Sequence, residues 1–415
     1  MLEMKGSGVE WTGEIPAHWD PIRFRFIAKI TTGNQDTQNA DPDGEYPFYV
    51  RSPIVERCNN YTFDGEGILM AGDGAGAGRV FHLVDGKYAV HQRVYRFYDF
   101  KYVKPVLLKY YLENLFATVM DYGSAKTTVP SVRLPMIQDF VVCVPPENEQ
   151  ISIIEMLNEK CTQIDALISN VQTQIEKLKA YKQSVITEAV TKGLDPTMPV
   201  KDSGFEWIGK IPAHWEIIRK LAFVTTEGIS YGIVKLFDPD DVNGVKVLRC
   251  SDVLEGWIKP DNIRTVTQKV SNEYARTILS GGEVVVNVRG SLGGCAVVPE
   301  EMAGYNIARE VAKITLSNRM CNRYVMFYLL SRCFVEYRTS HLSGSVYVGL
   351  NIELLSSCPL PSPEFTEQEA IADYLDEKCS QIDRLIAIKQ AKIEKMEQYK
   401  RSLIYEYVTG KKEVP

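Results

Sequence analysis

At 415 residues the chain is long enough for two to three domains with sizeable cores. Its 45% apolar and 24% charged content is that of an ordinary globular protein, and no apolar run approaches the roughly 18 residues a membrane span needs. The formal net charge is −6, and acids and bases nearly cancel over residues 20–148 and 217–366, which excludes binding of nucleic acid through bulk positive charge and leaves only a local patch or a partner to meet phosphates.

The chain opens on MLEMKGSGVEWTGEIP, which has no apolar core of a secretion signal and points to an intracellular protein. The nine cysteines form no CxxC pair and are odd in number, as expected of reduced thiols rather than a zinc site or a disulfide framework. Ser7 to Trp19 reads SGVEWTGEIPAHW and returns at Ser203 to Trp215 as SGFEWIGKIPAHW, an offset of 196 residues. Each copy of this head carries two Trp, an Ile, a Pro and a His: Trp11, Ile15, Pro16, His18 and Trp19, then Trp207, Ile211, Pro212, His214 and Trp215. The favoured reading is a strap that packs on a helix or on the segment that follows. The sharper one is a surface for docking a partner, because aromatics are enriched at interfaces.

A first variable segment follows, from about Asp20 to Glu149. Gly67-Ile-Leu-Met-Ala-Gly, Gly78-Arg-Val-Phe-His-Leu-Val and Lys87-Tyr-Ala-Val-His are short strand-like runs between Gly-rich turns. Val106 to Met120 reads as a helix, followed by a Gly-Ser turn at Gly123-Ser124. The run Gly72 to Gly78 satisfies a loose nucleotide-binding Gly pattern, but a strand follows it where a helix is required, so it reads as a hairpin or surface loop.

Next comes a long amphipathic helix, expected over Ile151–Val190. Leu157, Cys161, Ile164, Ile168, Val171, Ile175 and Leu178 step by fours and threes, the a/d spacing of a coiled-coil seam. About forty residues at 1.5 Å each make a rod of roughly 60 Å. The stretch EKCTQIDALI, Glu159 to Ile168, returns as EKCSQIDRLI, Glu377 to Ile386, at an offset of 218 residues. The second helix is expected over Glu369–Val408, with seam residues Leu375, Cys379, Ile382, Ile386, Ile393 and Met396 and a lone Lys389 where the first copy has Val171. Gly193 and Gly410 end the two helices, and Pro145-Pro146, Pro359, Pro361 and Pro363 mark the junctions before them.

The second variable segment runs from about Glu216 to Glu367 and is about 22 residues longer than the first, because the two offsets differ by that much. It repeats the order of the first: a strand from Glu283, a turn at Gly290-Ser-Leu-Gly-Gly, a strand from Cys295, a helix over Arg323 to Tyr337, and a Gly-Ser turn at Gly344-Ser345. Tyr305-Asn306-Ile307 answers Tyr88-Ala89-Val90. The chain is therefore head, insert, helix, head, insert, helix: a conserved frame with divergent inserts. The expected boundaries are 1–150, 151–193, 194–366 and 367–415. The fold class is α+β, with two globular α/β domains separated by two long helices. If the helices pair along their seams, the repeat makes them an antiparallel coiled coil with a pseudo-two-fold internal repeat.

Catalytic motifs are missing. There is no Walker A, and Val144-Pro-Pro-Glu lacks both the first residue and the aromatic of an amino-methyltransferase motif. A nuclease centre assembled from Pro42-Asp43 and Asp85-Gly86-Lys87 uses common residues and has no counterpart in the second insert. The five histidines, His18, His82, His91, His214 and His341, form no metal-ligand cluster, and no nucleophile stands beside a base. A non-catalytic protein is expected, with no catalytic and no metal residues.

The doubled SGxEWxGxIPxHW head, the EQ-initiated helix with KCxQID and the doubled layout strongly resemble the specificity subunit of type I restriction–modification systems, over nearly the whole chain. The resemblance implies that the inserts are target recognition domains, each reading half of a split site on double-stranded DNA. It implies that the helices pair and bind two modification (methyltransferase) subunits, and that a restriction (translocase/nuclease) subunit can join. S-adenosylmethionine, ATP and Mg2+ then belong to partner subunits, with no cofactor on this chain, no membrane and a prokaryotic cytoplasm as the setting. Two readers on one face of B-DNA place half-site centres about 34–36 Å apart, or a multiple of that. The alternative from another class is a non-catalytic coiled-coil interaction protein whose end domains bind proteins.

Arg and polar side chains on loops after strands are the expected DNA readers, since Arg to guanine is the commonest specific contact. Around the Gly turn of each insert these are Gly74, Arg79 and Arg93, and Arg289, Ser291 and Arg309; around the Gly-Ser turns they are Lys126, Thr127 and Thr128, and Ser345 and Tyr347.

Overall fold

The computed structural model describes residues 3–123, 130–234, 244–290, 292–342 and 349–414. It divides into two units, Met1–Gln172 with Ala391–Pro415, and Thr173–Gln390. Six of the expected interface residues, Lys126, Thr127, Thr128, Ser291, Ser345 and Tyr347, lie outside the described residues.

In the first unit the head is a hairpin, β1 (Met4–Gly6) against β2 (Glu14–Pro16), followed by β3 (Asp20–Arg23). The insert then builds two sheets from β4 (Lys29–Thr32), β5 (Tyr46–Tyr49), β6 (Glu56–Cys58), β7 (Phe63–Asp64), β8 (Gly67–Ala71), β9 (Phe81–Val84), β10 (Lys87–Val90) and β11 (Val94–Tyr98). One sheet has the order β6-β5-β10-β7, with β5 and β10 parallel; the other is β4-β11-β8-β9, antiparallel throughout. The strand β8 is buried at every position, which is why it reads as an unbroken apolar run instead of an alternation. Helices α1 (Pro105–Gly123) and α2 (Leu134–Gln138) follow, and β12 (Val141–Val144) closes the insert against β3.

The long helix α3 (Glu147–Lys192) starts one turn earlier than the apolar spacing predicts. Its first turn is polar, with Glu147 and Glu149 at the positive end of the helix dipole, and so carries no seam residue to betray it. Its Leu157, Cys161 and Ile164 join one core with Ile15 and Trp19 of the head, Phe97, Tyr111 and Phe140 of the insert, and Leu403, Tyr407 and Val408 near the C-terminus.

The second unit repeats this order. Hairpin β13 (Val200–Asp202) with β14 (Lys210–Pro212) leads to β15 (Glu216–Ile218), then β16 (Ser230–Tyr231), β17 (Val245–Leu248) and β18 (Arg264–Val266). A short α4 (Gln268–Glu273) precedes β19 (Val284–Asn287), β20 (Cys295–Val297), β21 (Asn306–Ile307) and β22 (Val311–Ile314). The sheets are β18-β17-β21, with β17 and β21 parallel, and β16-β22-β19-β20. Strand for strand these match β6-β5-β10 and β4-β11-β8-β9.

The helix expected over Arg323 to Tyr337 is two, α5 (Asn322–Leu330) and α6 (Arg332–Leu342), broken at Ser331, whose backbone is extended. The break is satisfied by α3: Gln183 donates to the Leu330 carbonyl at 2.7 Å, and the Arg332 N–H donates to Thr187 Oγ1 at 3.0 Å. After α7 (Ile352–Ser356), β23 (Leu360–Ser362) pairs with β15, and α8 (Phe365–Val408) begins, again one turn before the apolar pattern.

Both inserts bury a cation at the same register of the same strand. Arg96 on β11 lies opposite Leu69, and Lys313 on β22 lies opposite Val285. Arg96 sits over the rings of Phe63 and Tyr98, and its Nε donates to Tyr88 Oη at 2.7 Å. Lys313 donates to the Ile278 carbonyl and lies 3.4 Å from a Glu227 carboxylate oxygen.

Candidate nucleic-acid interface

The repeated frame positions each insert by the same set of bonds. In the first unit His18 Nε2 and Trp19 Nε1 donate to the two oxygens of Glu149, at 2.7 and 2.9 Å. In the second, His214 Nε2 and Trp215 Nε1 do the same to Glu367, at 2.9 and 3.0 Å. The next residue ties the helix to the insert. Buried Gln150 accepts from the Lys104 N–H and donates to the carbonyls of Tyr102 and Pro145. Buried Gln368 accepts from the Cys321 N–H and donates to those of Arg319 and Pro363. The Glu-Gln pair at each helix start therefore fixes both the head and the insert. Ile15, Pro16, Ile211 and Pro212 are buried beneath the head, Trp11 stacks on Phe140 at 6.2 Å, and Trp207 packs on Tyr337 at 5.3 Å.

The seam residues Leu157, Cys161, Ile164, Val171 and Ile175 are buried, as are Leu375, Cys379, Ile382 and Ile393; Ile168, Leu178, Ile386 and Met396 are half-buried. Within the first unit Asn148 and Ser152 share a cavity with Lys412 and Glu413, and Lys400 Nζ donates to Asp165 at 2.7 Å, so the two helix segments there run antiparallel. Within the second unit Lys182 Nζ donates to Asp383 at 2.7 Å and half-buried Lys389 donates to Gln174. Lys182 and Asp383 are the repeat counterparts of Lys400 and Asp165.

Strand pairing aligns the two inserts residue by residue. Ala71 pairs with Val94 as Asn287 pairs with Val311, and Val90 pairs with Tyr49 as Ile307 pairs with Leu248. Gly74 then corresponds to Gly290, and both hold the left-handed backbone that favours glycine, at φ 75° in each. Gly33 and Gly232 also correspond, each pressed on a carbonyl. A Cβ would stand 2.0 Å from the Val90 oxygen in one and 1.8 Å from the Ile307 oxygen in the other.

At these strand ends the side chains differ. In the first insert, exposed Arg51 and Arg93 donate through Nη1 to the two oxygens of Asp73, at 2.9 and 2.7 Å. Burial pushes the Asp73 carboxyl up, but the hydrogen bonds and charges of Arg51 and Arg93 outweigh it and hold the group below its usual range. Gln92 Nε2 donates to Asp36 Oδ2 on the neighbouring loop at 2.9 Å. Arg79 is exposed just before β9, its N–H donating to the Gly76 carbonyl.

In the second insert the register of Asp73 is taken by exposed Arg289, that of Arg93 by Glu310, that of Gln92 by exposed Arg309 and that of Arg51 by Cys250. The backbone bonds match: Gly72 N–H donates to the Arg93 carbonyl and Val288 N–H to that of Glu310. Arg289 lies over the Tyr231 ring at 5.6 Å, and Tyr231 is itself fixed by a bond from its hydroxyl to the Leu350 carbonyl. The adjacent Arg249 is spent internally in a two-point bond to buried Asp252. Sequence reasoning named Arg93, Arg289 and Arg309 but missed Arg51 and Asp73. Asp73 lies in the Gly72–Gly78 run already read as a loop, and a Pro following Ser52 is the local sign of a loop at Arg51. Among the described residues no cluster of His, Cys, Asp and Glu could hold a metal ion, and no helix is long and apolar enough to cross a membrane.

The model of the type I restriction modification DNA specificity domain matches the chain twice, over residues 16–179 and 216–398. The chain is 24% identical to the type I restriction enzyme MjaVIII specificity subunit of Methanocaldococcus jannaschii, covering 96% of this chain and 93% of that one. It is 21% identical to the EcoDI specificity subunit of Escherichia coli, over 90% of this chain and 84% of the relative. Among solved structures, a chain from work on complex assembly and conformational transition of the type I R-M system matches with a TM-score of 0.65 at 15% identity, over 95% of this chain and 98% of the other.

Proposed function

Because the chain belongs to the type I restriction modification DNA specificity family, we propose the following division of labour for it. The chain is a non-catalytic specificity subunit. Each insert reads one half of a bipartite site on double-stranded DNA, and the helices dock two modification subunits, to which a restriction subunit can be added. Methyl transfer, with S-adenosylmethionine, and any ATP- and Mg2+-dependent cleavage take place on those partners in the prokaryotic cytoplasm.

The observation that carries the reading is the pairing of a repeated frame with strand ends that differ between the two copies. Two inserts of the same strand order are fixed by the same Glu-Gln pair, yet carry unlike polar residues at equivalent loops. A scaffold built this way suits one task performed on two different targets.

The same reading takes α3 and α8 as one antiparallel coiled coil with a pseudo-two-fold axis. The Lys400–Asp165 and Lys182–Asp383 bonds, each the repeat image of the other, support it. The domains 1–150 and 194–366 are then held apart by the helices 151–193 and 367–415. Half-site centres lie about 34–36 Å apart or a multiple of it.

The test is to express the chain with its modification subunits in a host lacking other methyltransferases and to map methylated bases. The expected result is a single bipartite motif with two unlike halves, lost when the chain is omitted. A motif that persists without the chain contradicts the reading.

A further inference from the structure

We propose that Asp73 is a positioning residue that holds Arg51 and Arg93 as a paired guanidinium fork, and that this fork reads guanine in one half-site; the assignment rests on the specificity reading above. The three residues come from different strand ends. Arg51 follows β5 of one sheet, whereas Asp73 follows β8 and Arg93 precedes β11 of the other. Asp73 thus pins the ends of the two sheets together and gives one carboxylate oxygen to each arginine.

The side chain of Asp73 is 17% exposed, while those of Arg51 and Arg93 are 41% and 61% exposed. The carboxylate therefore lies beneath, and the guanidinium groups face outward. Each guanidinium has five N–H donors, and one Nη1 of each is engaged with Asp73, so the others remain in a fixed plane. A planar pair of donors matches the adjacent O6 and N7 acceptors of guanine in the major groove. Duplex phosphates offer paired acceptors too. The central carboxylate disfavours them, because it cancels half of the fork's positive charge and repels an anion brought between the arginines.

The second insert supports a role in specificity independently. At the same registers it has Cys250, Arg289 and Glu310, which reverses the acid and a base and removes the other base. A group needed only for the fold of the domain would not be inverted on a backbone whose hydrogen bonds are kept. Gly74 beside the fork, in its left-handed conformation, leaves no side chain over Arg51, whose Nη1 would lie 4.0 Å from a Cβ there.

The experiment uses the full-length chain assembled with its modification subunits, with assembly checked by gel filtration. Methylation is scored across a duplex library randomised through both half-sites, and binding is measured over a range of salt. Arg51→Ala and Arg93→Ala are expected to relax the preference for guanine roughly 5- to 150-fold at positions within one half and to leave the other half unchanged. Arg51→Lys and Arg93→Lys keep the charge but lose the planar fork, so they are expected to lose the same base preference while keeping the salt slope. Asp73→Ala is expected to relax the same positions with assembly intact. A uniform loss across all sequences, with the salt slope reduced by about one per arginine, identifies phosphate contacts and overturns the assignment. So does a change in the other half. A wild-type complex with a bipartite preference that none of the five variants alters overturns the fork alone. A wild-type complex with no preference overturns the specificity reading and the fork together.

Discussion

The two inserts share a backbone and differ in charge. Where the first presents Arg51, Asp73 and Arg93, the second presents Cys250, Arg289 and Glu310, on strands of the same order and register. The frame behaves oppositely: the Trp-His-Glu bonds and the buried Gln recur almost atom for atom, and the seam recurs except at Lys389 and Met396, which replace Val171 and Leu178. The difference teaches where each kind of residue is free to vary. A buried polar group with three backbone partners cannot change without orphaning them. A side chain at a strand end, facing outward, changes at little cost to the fold.

The comparison breaks most severely if the frame is not shared in energy as well as in geometry. Ile164 and Ile382 are repeat counterparts, 7% and 5% exposed. Ile164→Asp and Ile382→Asp each bury an unpaired charge and are expected to cost about 4 kcal/mol or more. Denaturant unfolding should show similar losses for both, with partner assembly abolished in the double variant. An assembled, fully stable double variant would remove the coiled coil from the account.

Next in size are Gly33→Ala and Gly232→Ala. Each Cβ would overlap a carbonyl oxygen, at 2.0 and 1.8 Å, with no flexible side chain to yield. About 3 kcal/mol is expected in each case. Limited proteolysis should find cleavage confined to residues 20–149 in the first variant and to residues 216–367 in the second. Cleavage of both inserts by either variant would mean that the domains do not fold independently.

Gln150→Ala and Gln368→Ala sharpen the comparison further. Each leaves one buried N–H and two carbonyls without their partner, at about 2 kcal/mol. Equal losses in thermal unfolding are expected, and a loss in just one insert would show that the shared geometry hides unequal roles. The smallest effect belongs to the ion pairs Lys400–Asp165 and Lys182–Asp383. Their carboxylates are more than half exposed, so each pair is expected to give less than about 1 kcal/mol in a double-mutant cycle and to weaken in high salt.

Much of the frame was legible in the sequence because its signals are local. The seam of Leu157 to Leu178 is a spacing, the doubled head is a string, and the Gly72–Gly78 run reads as a turn because a strand follows it. The mixed α/β class and the two-domain repeat stand. The first turns of α3 and α8 were missed, since they carry Glu and Gln in place of seam residues. The break at Ser331 was missed because it is satisfied by Gln183 and Thr187, about 145 residues away. Arg51 and Asp73 escaped for the same reason. They meet only because β5 pairs in parallel with β10 while β8 pairs with β11, and parallel pairing between distant strands leaves no local pattern. The inverted charges of Arg289 and Glu310 likewise appear only once the register is known.

The central claim is that recognition resides in the inserts and assembly in the frame. The most direct measurement replaces residues 20–149 with the corresponding insert of a relative, assembles the chimera with its modification subunits and maps the methylated sites. The account predicts a motif in which one half is that of the relative and the other half is unchanged, at undiminished assembly. A motif changed in both halves, or in neither, contradicts it.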